Sequence, residues 1–305
     1  MVDALKALDR AANGEGRVGE YQKSGWKIRD NMGLAPSIDN FMHTHQADSK
    51  LVEFGKVAIL RCIARAELGS SLFSSVNEAG TAALPRRIGD TWLGRLFQRL
   101  VSGRDAEEFL ATLSKVTFVC FNYDRCIERF FSIAVPSYFG PQYGSRLNEA
   151  LRVIHPYGVI GDYDLSNPWV LSGRDGSKAQ PDVNLSDAPA RIQTFTEGAD
   201  SGVVDEIAKH FSTSRMAVFL GFGYHKLNLK LFDLPKRSSV RDVIASCYEE
   251  SESNISDIKD ELGRLLFVDD SRGSDQLSRP ITMYKATASD VISDFSRLID
   301  RSLLP

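Results

Sequence analysis

The chain has 305 residues, 43% of them hydrophobic and 25% charged, enough to bury one large core or two smaller ones. A formal net charge of −3 argues against direct nucleic-acid binding as the main activity, which needs a basic face. The four cysteines, Cys62, Cys120, Cys126 and Cys247, are scattered without a CxxC pair, so neither a disulfide framework nor a metal site is expected.

In chain order, residues 3–12 read as a short amphipathic helix, followed by a polar, glycine-rich stretch. Within it Gly14-Glu15-Gly16-Arg17-Val18-Gly19 fits GxGxxG by letter. That fingerprint works only where a buried strand delivers the glycines to a helix amino terminus, and no strand precedes it here, so it reads as a connector. From Ser37 to about Leu68 apolar residues recur at helical spacing, and further helices are expected over 91–102 and 105–113. His43-Thr44-His45 has metal-like spacing, but no cysteine lies near and a solvated helix end is the simpler reading.

After Lys115 the pattern changes to strand-then-helix. Strands are expected at Val116–Phe121, Leu151–His155, Met216–Leu220, Val243–Ser246 and Ile281–Lys285. Helices are expected at Arg125–Ile133, Val203–Phe211, Leu227–Phe232 and Ser289–Leu303. Glu249-Glu250 and Asp269-Asp270 read as exposed acidic loops. Such alternation implies an α/β fold, a mostly parallel sheet with helices on both faces. The strands ending at Phe121, His155 and Leu220 are expected inside that sheet. The stretch 161–202, rich in Gly, Pro, Ser and Asp, is expected to cover the strand ends.

Three strand ends carry the candidate chemistry: Phe121-Asn122-Tyr123-Asp124, His155-Pro156-Tyr157-Gly158 and Gly221-Phe222-Gly223-Tyr224. Ligands of open parallel sheets bind beyond the carboxyl ends of the strands. Each residue also has a plainer role. Asn122 or Asp124 can cap a helix, His155 can close a turn, and the glycines can serve tight turns only.

Taken with Ser37-Ile38-Asp39-Asn40-Phe41 and Asn228, these motifs resemble, in order and spacing, the sirtuin-like domain family, nearest its bacterial antiphage-defence branch. The resemblance runs from about Ser37 to Phe232. It implies one Rossmann-like domain over 1–305, with a helical module at about 34–113 inserted before an α/β core at about 114–305. It also implies hydrolysis of NAD+, as substrate, to nicotinamide and ADP-ribose. Asn122 and His155 would be catalytic. Asn122 would hold the ribose hydroxyls or a water, and neutral His155 would accept a proton. Phe121, Tyr123, Asp124, Gly221, Phe222, Gly223 and Asn228 would bind the nucleotide, with Asp124 orienting the nicotinamide side or Asn122. The family opens with a strand and a Gly-Ala-Gly phosphate loop, and neither precedes Ser37 here, which implies weakened hydrolysis. The zinc module of sirtuin deacylases is missing too. A homo-oligomer or a defence-system partner protein is expected. The alternatives are a catalytically weak nucleotide-binding domain acting as scaffold or sensor, or a plain interaction module. With no signal-peptide pattern at Met1 and no apolar run of membrane-spanning length, a cytoplasmic protein without membrane contact is expected.

Overall fold

Two short parallel ladders carry the strand pattern. β1 (Thr117–Val119) pairs with β2 (Arg152–Ile154), Phe118 opposite Val153. β3 (Met216–Phe219), β4 (Asp242–Ser246) and β5 (Ile281–Tyr284) form the second ladder, with β4 in the middle. The computed structural model describes residues 6, 18–74, 82–161, 163, 188–194, 196–233, 238–267 and 281–303. The expected helix at 3–12, most of the GxGxxG stretch, most of the expected cover at 161–202 and the acidic pair Asp269-Asp270 lie outside these residues.

All five strands are parallel, and helices dominate the described residues. Among the described residues the strands form two small ladders, where a single sheet was expected. The interior place in the larger ladder also goes to a different strand. Val243, Ile244, Ala245 and Ser246 are all buried, which is what cover on both faces requires, whereas β3 alternates and lies at an edge.

The chain divides into two compact units. One comprises Met1–Pro85, Cys120–Asn148 and His155–Ala199, the other Arg86–Val119, Glu149–Ile154 and Asp200–Pro305. Both ladders belong to the second unit. There Trp92–Val101 and Ala288–Asp294 pack together, tied where Ser289 Oγ donates to the Asp90 carbonyl at 2.6 Å and where Arg95 meets Ser293. Glu252–Leu266, a helix the sequence reading did not anticipate, buries Leu262 and Leu266. Ser251 caps it by accepting from Asn254 N–H at 3.2 Å.

The first unit is mainly helical. Val18–Asn31 forms a helix where a polar, glycine-rich stretch was expected, because Tyr21, Ser24 and Ile28 fall on one buried stripe. Tyr21 joins Val57, Leu60, Ala64, Ile160 and Ile192 in one apolar cluster, while Ile28 joins Phe41, Met42 and Leu51 in another. Burial thus holds a helix too poor in apolar residues to show its period. The expected run from Ser37 to Leu68 breaks into Ile38–Thr44 and Ser49–Gly69. Ser37 caps the first and Asp48 the second. Between them His45 bonds the Phe41 carbonyl at 2.9 Å and stacks on its ring. Among the described residues no helix is long and apolar enough to cross a membrane.

Candidate active site

Where the chain leaves β1 it enters the first unit at Cys120, and where it leaves β2 it enters the same unit at His155. Asn122 and His155 meet there. His155 Nδ1 lies 3.0 Å from the Asn122 backbone oxygen, and Nε2 lies 2.9 Å from Glu128 Oε1. The side chains of His155 and Glu128 are 9% and 15% exposed, while Asn122 is exposed.

A carbonyl oxygen only accepts, and so does an ionised carboxylate. With Glu128 ionised, His155 must donate from both ring nitrogens and is an imidazolium. Burial opposes that charge, but hydrogen bonds to Cys120 and Glu128 outweigh it and push the group up to about 10. Both ring nitrogens of His155 have hydrogen-bond partners, the Asn122 carbonyl at Nδ1 and Glu128 Oε1 at Nε2.

Just ahead of the helix Cys126–Phe139, Asp124 Oδ1 accepts from Cys126 N–H at 3.0 Å and closes a turn. The N-cap position itself is Arg125, with no side-chain cap, so neither Asn122 nor Asp124 takes the N-cap role open to them. The next residue, Arg125, is anchored from below. Glu67 Oε1 accepts its backbone N–H at 2.7 Å and Oε2 accepts Nη2 at 2.7 Å, with both side chains at most 3% exposed. Glu67 comes from the helix Ser49–Gly69, so the turn that presents Asn122 is bolted to the helical part of its unit. The thiol of Cys126, just past that turn, is pushed up by burial and by Asp124.

His155 opens a β-turn. Gly158 N–H donates to the His155 carbonyl at 3.1 Å, with Pro156 in the second position. Gly158 has φ +87, and a Cβ there would sit 2.0 Å from the Arg191 carbonyl oxygen. Glycine is required twice over, by backbone sign and by the bridge Gly158 makes with Ile192. The same corner is closed by Ile160 N–H on the Tyr123 carbonyl and by Tyr123 OH on the Gln193 carbonyl, at 2.9 and 2.8 Å. Phe121 meets the Tyr157 ring edge-on.

A second buried polar group adjoins this corner. Asp39 Oδ1 is buried and without a hydrogen-bond partner, and burial, then the Glu197 charge, raises Asp39 to about 6. Burial and then Asp39 hold Tyr157 up at about 12, and the same two causes, with Glu197 behind them, raise Tyr123. Glu197 itself is held low. Its burial cost is outweighed by the Thr194 backbone N–H and by Lys56, whose Nζ is 2.9 Å away and whose side chain is 7% exposed.

Gly221, Phe222, Gly223 and Asn228 belong to the second unit, at the carboxyl end of β3. Gly221 has φ +59 and donates its N–H to Ser246 Oγ at 2.8 Å. Tyr224, at φ +48, donates its OH to the Ser246 carbonyl at 2.7 Å, and Phe222 packs edge-on to the Tyr224 and Phe232 rings. A turn requirement accounts for Gly221. Gly223 has nothing within 4 Å of a Cβ position and an ordinary φ, so the fold leaves its glycine unexplained. Asn228 lies in the short helix Lys226–Leu229.

Sequence reasoning missed Glu128, Glu67 with Arg125, and the Asp39–Glu197–Lys56 group. Glu128, in the first turn of its helix and next to Arg129, carried no signal of its own, since its partner lies 27 residues on. Among the described residues no group of His, Cys, Asp and Glu could hold a metal ion. Comparisons with protein-family models, with curated proteins and with solved structures find no match.

Proposed function

We propose that the chain is a sirtuin-like NAD+ hydrolase of the antiphage-defence kind, with Asn122 as the group that meets the reacting ribose. One observation carries this reading. Asn122 is exposed while its backbone carbonyl is held by His155, whose other ring nitrogen bonds Glu128, the two side chains being 9% and 15% exposed. A strand-end carboxamide fixed this way, and not spent on the helix cap, is preorganised for a ligand. The finer fold belongs to the same proposal: β2–β1 and β3–β4–β5 are the two wings of one Rossmann-like sheet, whose ligands bind beyond the carboxyl ends.

The chemistry asks little of a base. As the C1′–N bond of NAD+ breaks, neutral nicotinamide leaves with the bond's electron pair and positive charge builds on the ribose. A water oxygen then bonds to C1′ and its proton passes to solvent, giving ADP-ribose. Asn122 can hold the ribose hydroxyls or that water without adding charge beside a developing cation. The net-neutral pair His155–Glu128 likewise adds none.

The test is nicotinamide release from NAD+ by the full chain and by Asn122→Ala. Turnover is expected in the first. In the second a loss of at least about 100-fold is expected, the scale of removing one preorganised hydrogen-bonding group. Its melting temperature should stay unchanged, since the Asn122 carbonyl that His155 bonds is backbone and Asp124 still closes the turn before the helix. Full activity in Asn122→Ala would refute the assignment.

A second reading draws on the engaged His155 nitrogens: a nucleotide-binding domain of weak or no turnover, acting as scaffold or sensor. NAD+ binding that Asn122→Ala weakens, without nicotinamide release by either protein, would select it.

A further inference from the structure

We propose that Glu128 is a positioning residue, which holds His155 doubly protonated so that the imidazolium pins the Asn122 backbone and sets the direction of its carboxamide. This rests on the reading of Asn122 above and adds the residue that would govern it.

The geometry is a relay of two hydrogen bonds. Glu128 Oε1 accepts from His155 Nε2 at 2.9 Å, and His155 Nδ1 donates to the Asn122 carbonyl at 3.0 Å. Glu128 stands in the first turn of Cys126–Phe139, where the helix amino terminus favours a negative charge. Its other oxygen, Oε2, is buried with no partner. Among the described residues the His155 bond is the one hydrogen bond this carboxylate makes, and a buried carboxylate without a counter-charge is strongly disfavoured. Without Glu128 the imidazole keeps Cys120 beside it but loses its carboxylate partner, one of the two groups that favour its protonated form. Without that proton the imidazole could still give one N–H to Asn122, but nothing would fix which nitrogen carries it.

Among the described residues three groups face His155. Cys120 approaches from the end of β1, its thiol also donating to the Asn122 carbonyl at 3.6 Å, Glu128 approaches from the helix, and the Asn122 carbonyl closes the third side. Asp124 is bonded to Cys126 N–H and Glu67 to Arg125.

The experiment is a pH titration of the imidazole nitrogens by NMR on the full chain, with His155 assigned by its loss in His155→Asn. In the wild type His155 should stay doubly protonated from pH 5 to pH 9. In Glu128→Gln, which keeps size and removes the charge, its titration should fall by two pH units or more, and the Asn122 side-chain amide signals should move. A Glu128 that pairs with His155 without orienting Asn122 would lower the titration but leave the Asn122 side-chain amide signals in place, which would overturn the positioning role. A wild-type His155 titrating near its ordinary ~6.5 overturns the proposal, and that measurement stands even if Glu128→Gln fails to fold. So does a Glu128→Gln titration within half a unit of wild type. Nicotinamide release separates the two claims. Titrations as expected with no turnover by the wild type would sink the hydrolase reading and leave the relay intact. Robust turnover with His155 unmoved in Glu128→Gln would do the reverse.

Discussion

The bolt between Glu67 and Arg125 offers the sharpest energetic test. Both side chains are essentially out of solvent, at 3% and 2%, and two contacts at 2.7 Å join them, one through the Arg125 backbone N–H and one through its guanidinium. Glu67→Ala leaves a buried guanidinium without its counter-charge and a backbone donor without its acceptor. Breaking a buried pair from one side costs about 3–5 kcal/mol. The lost backbone hydrogen bond, about 1–3 kcal/mol taken alone, is part of the same event and should not be added in full. The expected loss is therefore ~4 kcal/mol, a large share of the total stability of an ordinary domain. Replacing both partners by methionine removes the charges together and keeps most of the volume. That double variant should recover much of the loss, falling within about 2 kcal/mol of wild type. Urea unfolding at constant m-value measures all three proteins. A single variant losing less than about 1 kcal/mol would mean that the pair behaves like an exposed one. A double variant as unstable as the single would mean that shape, not charge, makes this contact.

Three further outcomes follow from individual groups. Asp39 is raised in the folded state, so its charged form is disfavoured there. The penalty is nil at low pH, grows as pH rises from the usual carboxylate range to about 6, and persists above. Asp39→Asn should therefore raise the melting temperature at pH 8, by the equivalent of about 1 kcal/mol after solvent screening of a partly buried group, and leave it unchanged at pH 4. A uniform change at both values would contradict the charge account. Gly158→Ala combines a left-handed φ with a Cβ at 2.0 Å from the Arg191 carbonyl oxygen, and should cost more than ~2 kcal/mol and speed amide exchange at Gln193, whose N–H bonds the Tyr157 carbonyl. Ser246→Ala removes the acceptor of Gly221 N–H and should cost about 1–2 kcal/mol by thermal unfolding; no loss would show that water replaces the hydroxyl.

What could be read in the sequence was local and periodic. The runs around Phe118, Val218 and Ile244 announce strands, and Trp92–Val101 and Ala106–Leu113 announce helices within a residue or two, because burial of one stripe imposes the period directly. The helix Val18–Asn31 was illegible for the converse reason. Three buried side chains in fourteen residues leave almost no period, and only the partners Val57, Leu60 and Leu51 make it a helix. Glu252–Leu266 hid behind its charges, with two fully buried leucines against a polar remainder. The pairing of strands into two ladders, with β4 central, depends on long-range contacts that no window reports. The Asn122–His155 meeting was expected from two strand ends; Glu128 was not, since an acid in a helix reads as a solvated face until its partner, 27 residues on, is in place.

Among the described residues, the two buried carboxylate oxygens without a hydrogen-bond partner, Asp39 Oδ1 and Glu128 Oε2, lie in the unit that carries Asn122 and His155. Buried unsatisfied acceptors are rare in folded proteins, because each forgoes the hydration it would have in the unfolded chain. Apolar substitution at either site would remove that penalty. Asp39 faces Tyr123 and Tyr157, and Glu128 faces His155, so both acids act on strand-end residues that the sequence had already singled out. Acids held with an unpartnered buried oxygen beside the same strand ends are departures from the rules of stability, and such departures concentrate where a protein works. The prediction for Asp39→Asn therefore has a second half. The gain in stability at pH 8 should come with reduced nicotinamide release or NAD+ binding, and a variant more stable and equally competent in both would assign Asp39 no part in the site.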